Sequence, residues 1–308
     1  MNLAEQIEPV LPKNAQLEPV GPAKAPALMS FEAFCALLAE QPGLRALELQ
    51  GAGEPLAHPR FFDMVAYAAA RGIEVTTTTT LLTISDARIE ECVASGLRRI
   101  DVAPGASDPS DCDYLRPGSK LRRALRNVQR MREAKQRHAA EHPEIRIVLM
   151  LLRRDLNELR ELVRLAAEHG ADALVFQHLW HDVSATRRFV EAESLLKEDP
   201  SKLDFAEAQA LADDLGIPLS LPEAHRADAG AARVRCDRPW RGIYVGASGE
   251  ALPCARLKTP QRLNLGNMRR DGVVRVWNGH AYREFRERLA SSDPPDICRG
   301  CAVYAGMG

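Results

Sequence analysis

The chain has 308 residues, 45% of them hydrophobic, with 41 Lys and Arg against 42 Asp and Glu for a net charge of -1. That length can bury a large core, and the balanced charge gives no electrostatic reason to expect nucleic acid or an anionic membrane as partner. No stretch approaches ~20 uninterrupted apolar residues, and no basic region followed by an apolar run opens the sequence, so neither a membrane span nor a signal peptide is expected and the cytoplasm is the default location.

In chain order, residues 1–28 are rich in Pro, Ala and Glu without a clear period and read as a poorly structured leader. The ordered part is expected to begin near Met29. Short apolar runs at 46–50, 73–78, 100–102, 145–151 and 173–177 read as buried strands. Helices fill the gaps. The first has Ser30 as N-cap with Phe31, Phe34, Cys35 and Leu38 on one face; later ones carry Leu121, Ala124, Leu125, Val128 and Met131, then Leu159, Leu162, Val163 and Ala166, at helical spacing. Strands alternating with single helices imply a parallel α/β sheet, doubly wound or curved into a full or partial barrel, with ligands at the C-terminal strand ends. After Gln177 the rhythm changes to a polar, Arg- and Glu-rich helical region, and a boundary is expected near residue 225. From Cys236 the pattern is a hairpin, 242–245 and 250–253 flanking a turn at Ala247, Ser248 and Gly249, followed by a helix over 282–289.

Four of the seven cysteines, Cys236, Cys254, Cys298 and Cys301, fall in this last part. In a reducing compartment such a group is expected to bind metal rather than form disulfides. The gap between Cys298 and Cys301 lets both sulfurs of one turn face a single centre, and the hairpin brings Cys236 and Cys254 opposite. Four thiolates can surround a tetrahedral zinc ion or supply one ligand to each iron of a cubic cluster, and spacing alone leaves both open. Cys35, Cys92 and Cys112 are scattered and read as core or incidental residues.

Several segments together resemble the radical S-adenosylmethionine (radical SAM) family, in its members with a C-terminal SPASM or twitch extension. The marks are Met29, Ser30, Phe31, Glu32 and Phe34; Gly51, Ala52, Gly53, Glu54, Pro55 and Leu56, followed by His58 and Pro59; Ser95, Gly96 and Leu97; Asn157, Glu158 and Leu159; Trp277, Asn278 and Gly279; and Gly249 placed five residues before Cys254. The resemblance implies an α/β fold, a partial parallel (β/α)6 barrel over 29–225 with a small cysteine-rich SPASM/twitch domain over 226–308. It implies one auxiliary four-iron four-sulfur (4Fe-4S) cluster on Cys236, Cys254, Cys298 and Cys301, of the single-cluster twitch type because no cysteine follows Cys301. It also implies that Gly51, Gly53, Glu54 and Pro55 form the loop that receives the amino and carboxylate ends of S-adenosylmethionine, Gly permitting close approach and Glu54 pairing with an ammonium.

One feature of the family is missing. Its three-cysteine motif, with gaps of three and two residues after the first strand, occurs nowhere in the sequence. Thr78 stands where relatives often place Asn after the third strand, and Ala103, Pro104 and Gly105 replace a Ser-containing turn after the fourth. The expectation is a scaffold degenerate for S-adenosylmethionine cleavage, whose retention of that ligand is in question. It would be an accessory or substrate-holding protein in peptide or natural-product maturation, with a peptide or small-molecule substrate and a catalytic partner protein. The alternatives are an active radical SAM enzyme with an unusual or misassigned N-terminal cluster site, and a zinc-stabilised binding protein. His178 and His181, after the last strand, read as loop histidines with ordinary hydrogen bonds, Arg153 and Arg154 as solvated or anion-contacting, and the 283–288 charges as solvent-facing pairs.

Overall fold

A computed structural model describes residues 13–19, 27–51, 53–105, 114–115, 118–179, 187–195, 205–222, 236–255, 263–299, 301 and 304. The strands are β1 (Asn14–Leu17), β2 (Ala46–Leu49), β3 (Glu74–Thr79), β4 (Arg99–Val102), β5 (Glu144–Leu151), β6 (Ala173–His178), β7 (Leu219–Ser220), β8 (Gly242–Val245) and β9 (Ala251–Leu252). The helices are α1 (Phe31–Ala39), α2 (Phe61–Ala69), α3 (Asp86–Ala94), α4 (Lys120–Arg137), α5 (Leu159–Glu168), α6 (Arg187–Glu193), α7 (Ala206–Leu215), α8 (Arg238–Arg241), α9 (Met268–Asp271), α10 (Val273–Trp277), α11 (His280–Ala290) and α12 (Asp296–Arg299). The chain divides into two compact units, Met1–Thr77 with Ala231–Gly308, and Thr78–Gly230.

In the first unit β1 lies between β2 and β8 and pairs in parallel with both, while β8 and β9 form an antiparallel hairpin. The expectation of no packed element in 1–28 therefore fails at Asn14–Leu17: Leu17 is fully buried, and a strand this short takes its stability from its two neighbours rather than from its own pattern. The cysteine-bearing segment likewise joins the N-terminal strands through β8 instead of standing apart as a body of its own. Register puts Ala15, Leu17, Leu47, Leu49, Val75, Ile243 and Val245 on one buried face. The opposite face carries Gln16, Glu48, Thr76 and Tyr244 in one row. Such alternation fits a sheet with an apolar, helix-covered side and a side free to carry chemistry.

Ser30 caps α1, its Oγ accepting from the Ala33 amide at 3.2 Å. The helix buries Phe34, Leu37 and Leu38, so Leu37 takes the place expected for Cys35, which is only half-buried. Met29, just before the cap, is fully buried, and its carbonyl accepts from His58 Nε2 at 2.9 Å. His58 Nδ1 in turn accepts from the Arg60 amide at 3.1 Å, which puts the ring proton on Nε2. One buried imidazole thus ties the start of α1 to the loop that follows β2.

In the second unit β4, β5, β6 and β7 pair in parallel in that order. Its core gathers Ile147, Leu149 and Leu151 of β5, Leu174 and Phe176 of β6, Leu159, Leu162, Val163 and Ala166 of α5, and Ala208 and Ala212 of α7. On the polar face of β4 and β5 Arg146 makes a two-pronged contact with Asp101 at 2.7 and 2.8 Å. Thr78, expected after the third strand, lies inside β3, and the amide of Ala103 donates to the Thr79 carbonyl at 2.8 Å. Arg153 and Arg154 are exposed, as expected, and both also fasten α6: Arg153 Nε donates to the Ala192 carbonyl at 3.1 Å, and the Arg154 backbone amide donates to Glu193 Oε2 at 3.3 Å. His181 lies outside the described residues, so its relation to His178 is not described.

After β5, Asp155 is 2% exposed and accepts from the Leu152 amide at 3.0 Å. Burial pushes its carboxyl up to about 7, the Leu152 bond and Arg154 opposing the rise and Glu158 and Glu193 adding to it. Between the ordinary carboxylate range and pH 7 the folded chain therefore holds a proton that the unfolded chain releases, and stability is expected to fall as pH rises through that window. Asp155→Asn keeps the acceptor without the charge. It should flatten this slope and stabilise the protein above pH 7 by about 2 kcal/mol, a value discounted from 1.36 kcal/mol per pKa unit for residual solvent. Urea denaturation at pH 5 and 8 checks it; equal slopes in both proteins would refute the assignment.

Candidate metal centre and strand-end loop

The four cysteines arrive on three segments of the first unit. Cys236 precedes α8, Cys254 follows β9, and Cys298 and Cys301 lie on and just after α12. All four are half-buried. Local turns aim the last pair: the Cys298 amide donates to the Pro295 carbonyl at 2.8 Å and the Cys301 amide to the Cys298 carbonyl at 3.1 Å. The Arg238 amide donates to the Cys236 sulfur.

Three of them lie within electrostatic reach of the fourth, Cys298. The Cys298 thiol is pushed up to about 12, first by burial and then by Cys254, Cys301 and Cys236 together. Cys236 is also raised, again chiefly by burial with Cys301 adding to it, although the Arg238 amide and guanidinium pull the other way. Four thiols within each other's electrostatic reach repel as thiolates, and bound cationic iron or zinc would reverse that repulsion and displace their protons. Among the described residues no three His, Cys, Asp or Glu side chains already stand as a closed set around one ion. The soft, all-sulfur donor set nevertheless fits an iron-sulfur cluster or a thiolate-bound metal. Cys92, by contrast, is fully buried on α3 and pushed up to about 12 by burial alone, which marks it as an inert core thiol.

Helix α11 fastens the loops that carry the first two cysteines. The Tyr282 hydroxyl donates to the Leu252 carbonyl at 2.8 Å, two residues before Cys254, and its phenol lies within electrostatic reach of that thiol. One turn later Arg286 Nε donates to the Pro239 carbonyl at 2.9 Å, three residues after Cys236, while Nη1 donates to the Trp277 carbonyl at 2.9 Å. Its guanidinium stacks 3.9 Å from the Trp277 ring centroid and 4.7 Å from that of Tyr282. Reading the 283–288 charges as solvent-facing holds for Arg283, Glu284, Glu287 and Arg288 but not for Arg286, which turns inward. The signal was its spacing: Arg286 lies four residues after Tyr282 and three before Leu289, beside the buried stripe.

Gly249 closes the hairpin at φ 99°, and a Cβ there would lie 2.7 Å from Asn267 Oδ1 and Arg269 Cγ. Both the backbone hand and the close approach demand glycine, which gives a physical reason for the spacing from Gly249 to Cys254.

The loop after β2 is described except for Ala52. Glu54 caps the short 3-10 helix Pro55–Ala57, its Oε1 accepting from the Leu56 amide at 3.3 Å. The close neighbour of Gly51 is Glu18, the first residue after β1, which pattern reading missed because it sits in the Pro-rich leader. Glu18 is 7% exposed, and its Oε2 accepts from the Ala247 amide at 3.3 Å. The Tyr244 hydroxyl is buried beside it and raised in pKa by burial first, then by Glu18, Glu48 and Glu250.

Residues 236–302 match the SPASM family, an iron-sulfur cluster-binding domain. The chain is similar to the PqqA peptide cyclase of Xanthomonas campestris pv. campestris (strain 8004), 22% identical over 257 residues, covering 81% of this chain and 64% of the cyclase. It is also similar to the tungsten-containing aldehyde ferredoxin oxidoreductase cofactor-modifying protein of Pyrococcus furiosus, 24% identical over 278 residues, covering 84% of this chain and 75% of that protein. The chain thus spans under two thirds of the length of the first of these relatives. Among solved structures, Streptococcus suis SuiB bound to precursor peptide SuiA superposes with a TM-score of 0.62 at 14% identity, covering 96% of this chain and 70% of that one. Native anSMEcpe with bound AdoMet gives 0.65 at 12% identity, covering 96% and 88%. These likenesses show the fold, α/β with a parallel sheet that does not close, the partial barrel expected from the sequence. Among the described residues no helix is long and apolar enough to cross a membrane. The cluster-binding match over 236–302, the relatives and the fold together support the radical SAM/SPASM resemblance read from the sequence.

Proposed function

We propose that the chain holds one 4Fe-4S cluster on Cys236, Cys254, Cys298 and Cys301 and acts as an accessory protein in the maturation of a peptide or small molecule, holding substrate or passing electrons without cleaving S-adenosylmethionine. The observation that carries this reading is the match of residues 236–302, which hold Cys236, Cys254, Cys298 and Cys301, to an iron-sulfur cluster-binding domain, set against a sequence with no second group of cysteines. A fully thiolate-ligated cluster supplies one-electron transfer and has no open iron for a substrate. The chain's own residues do the rest: the Arg238 amide supports a sulfur, Tyr282 and Arg286 hold two of the loops, and half-burial limits access of water. The peptide class is supported by relatives whose names refer to a peptide cyclase and by a structural neighbour bound to its precursor peptide. A catalytic partner protein and a cytoplasmic setting belong to the same proposal.

The test is iron and sulfide content with electron paramagnetic resonance on anaerobically reconstituted protein, followed by incubation with S-adenosylmethionine and a strong reductant. About four irons per chain and no 5′-deoxyadenosine are expected. About eight irons, or 5′-deoxyadenosine formed in proportion to protein, would overturn the reading.

A further inference from the structure

Open parallel α/β sheets bind ligands in the crevice beyond the C-terminal ends of their strands. In the first unit that crevice is bounded by Glu18 after β1, Gly51 after β2 and Gly246 after β8. Glycine at such a place lets something come against the backbone. At Gly51 that something is the protein itself: an ideal Cβ on Gly51 would lie 2.1 Å from Glu18 Cγ and 2.5 Å from its Oε1. On the other side Glu18 Oε2 accepts from the Ala247 amide at 3.3 Å and lies 3.5 Å from where a Cβ on Gly246 would stand. The backbone leaves little choice of position, since the Glu18 amide donates to the Val245 carbonyl at 2.9 Å. One side chain, 7% exposed, therefore bridges three strand ends.

We infer that Glu18 is a built-in plug of the loop at Gly51, closing it by bulk to the aminoacyl end of S-adenosylmethionine. The inference rests on the reading of residues 51–55 as the loop of a disused nucleoside site. A ligand settling its amino acid end against Gly51 would need the volume that the Glu18 methylenes and carboxylate fill. Its carboxylate would also meet the negative charge of Glu18 and Glu250, whose Oε2 atoms lie 3.5 and 2.6 Å from where a Cβ on Gly246 would stand. Missing cysteines and a filled loop are separate obstacles, and the second is specific to this chain's own side chain.

Equilibrium dialysis of full-length, reconstituted protein against labelled S-adenosylmethionine tests it. Wild type is expected to show no saturable binding, Glu18→Ala to bind at least tenfold more tightly, and Glu18→Gln, which keeps the volume, to stay closed. Glu18→Asp, one methylene shorter, serves where Glu18→Ala fails to fold, and should open the loop in part. Wild type binding as tightly as Glu18→Ala, folded shortened variants that gain nothing, or Glu18→Gln opening as far as Glu18→Ala would each overturn the plug. The two failures are distinguishable: 5′-deoxyadenosine from wild type sinks both the proposed function and the plug, because cleavage needs the ligand seated, whereas a closed Glu18→Ala protein that still carries about four irons and forms no 5′-deoxyadenosine sinks only the plug.

Discussion

Replacing Cys298 and Cys301 together by alanine is expected to take iron from about four per chain to none and to lower the thermal midpoint sharply. Both effects follow from where the thiols sit. Cys298 is raised to about 12 by burial and by three other sulfurs, so its thiol stays protonated until a cation compensates it. Binding then turns mutual repulsion into attraction, and apparent free energies for structural metal sites reach roughly 10 kcal/mol, enough to decide whether such a segment folds. Few long elements exist to hold it otherwise, since α8, α9, α10 and α12 span only four or five residues each. Cys236→Ala should lose the cluster as well. Cys35→Ala and Cys92→Ala are the controls and should keep full iron, Cys92→Ala costing about 1 kcal/mol for a small buried cavity. Iron surviving at wild-type level in the double variant would place the metal elsewhere.

Much of this architecture is visible in the sequence because burial alternates cleanly. Strand β5 reads as buried at every second residue from Ile145 to Leu151, so alternation finds it within a residue, and α4 and α5 repeat their apolar residues at helical spacing, which marks their buried faces. The hairpin was legible from Gly249 and its flanking apolar runs. Strand β1 was not: Asn14–Leu17 has too few residues to display a period, and it is made a strand by β2 and β8, the latter more than 200 positions away. Glu18 was hidden for the same reason, since its neighbours Gly51 and Ala247 come from two remote strand ends. The four cysteines could be grouped by residue type and spacing, whereas Arg286 looked like one charge among several on a polar helix. Burial of a cation shows only once the aromatic rings it lies between are placed.

Arg286→Ala is expected to destabilise the protein by about 2–4 kcal/mol and to reduce cluster occupancy with it. The guanidinium donates to two carbonyls, and a charged donor is worth about 1.5–3 kcal/mol in each such bond. Stacking on Trp277 and Tyr282 adds about 0.5–2 kcal/mol. Against this stands desolvation, which lowers Arg286 to about 10, so it remains charged at neutral pH but at a cost. The gains win because the Pro239 and Trp277 carbonyls would otherwise be left without their donor, and the larger consequence is geometric. Pro239 follows Cys236 closely while Tyr282 holds the chain ahead of Cys254, so releasing Arg286 frees one side of the cluster site. Arg286→Lys keeps the charge but cannot fork to both carbonyls or lie flat between the rings, and should recover less than half of the loss. Arg286→Met refills the space without the donors; it separates packing from tethering and is expected to regain stability more than iron. Chemical denaturation paired with iron analysis reads both effects, and an Arg286→Ala protein within about 0.5 kcal/mol of wild type with full iron would show that α11 does not hold the Cys236 loop.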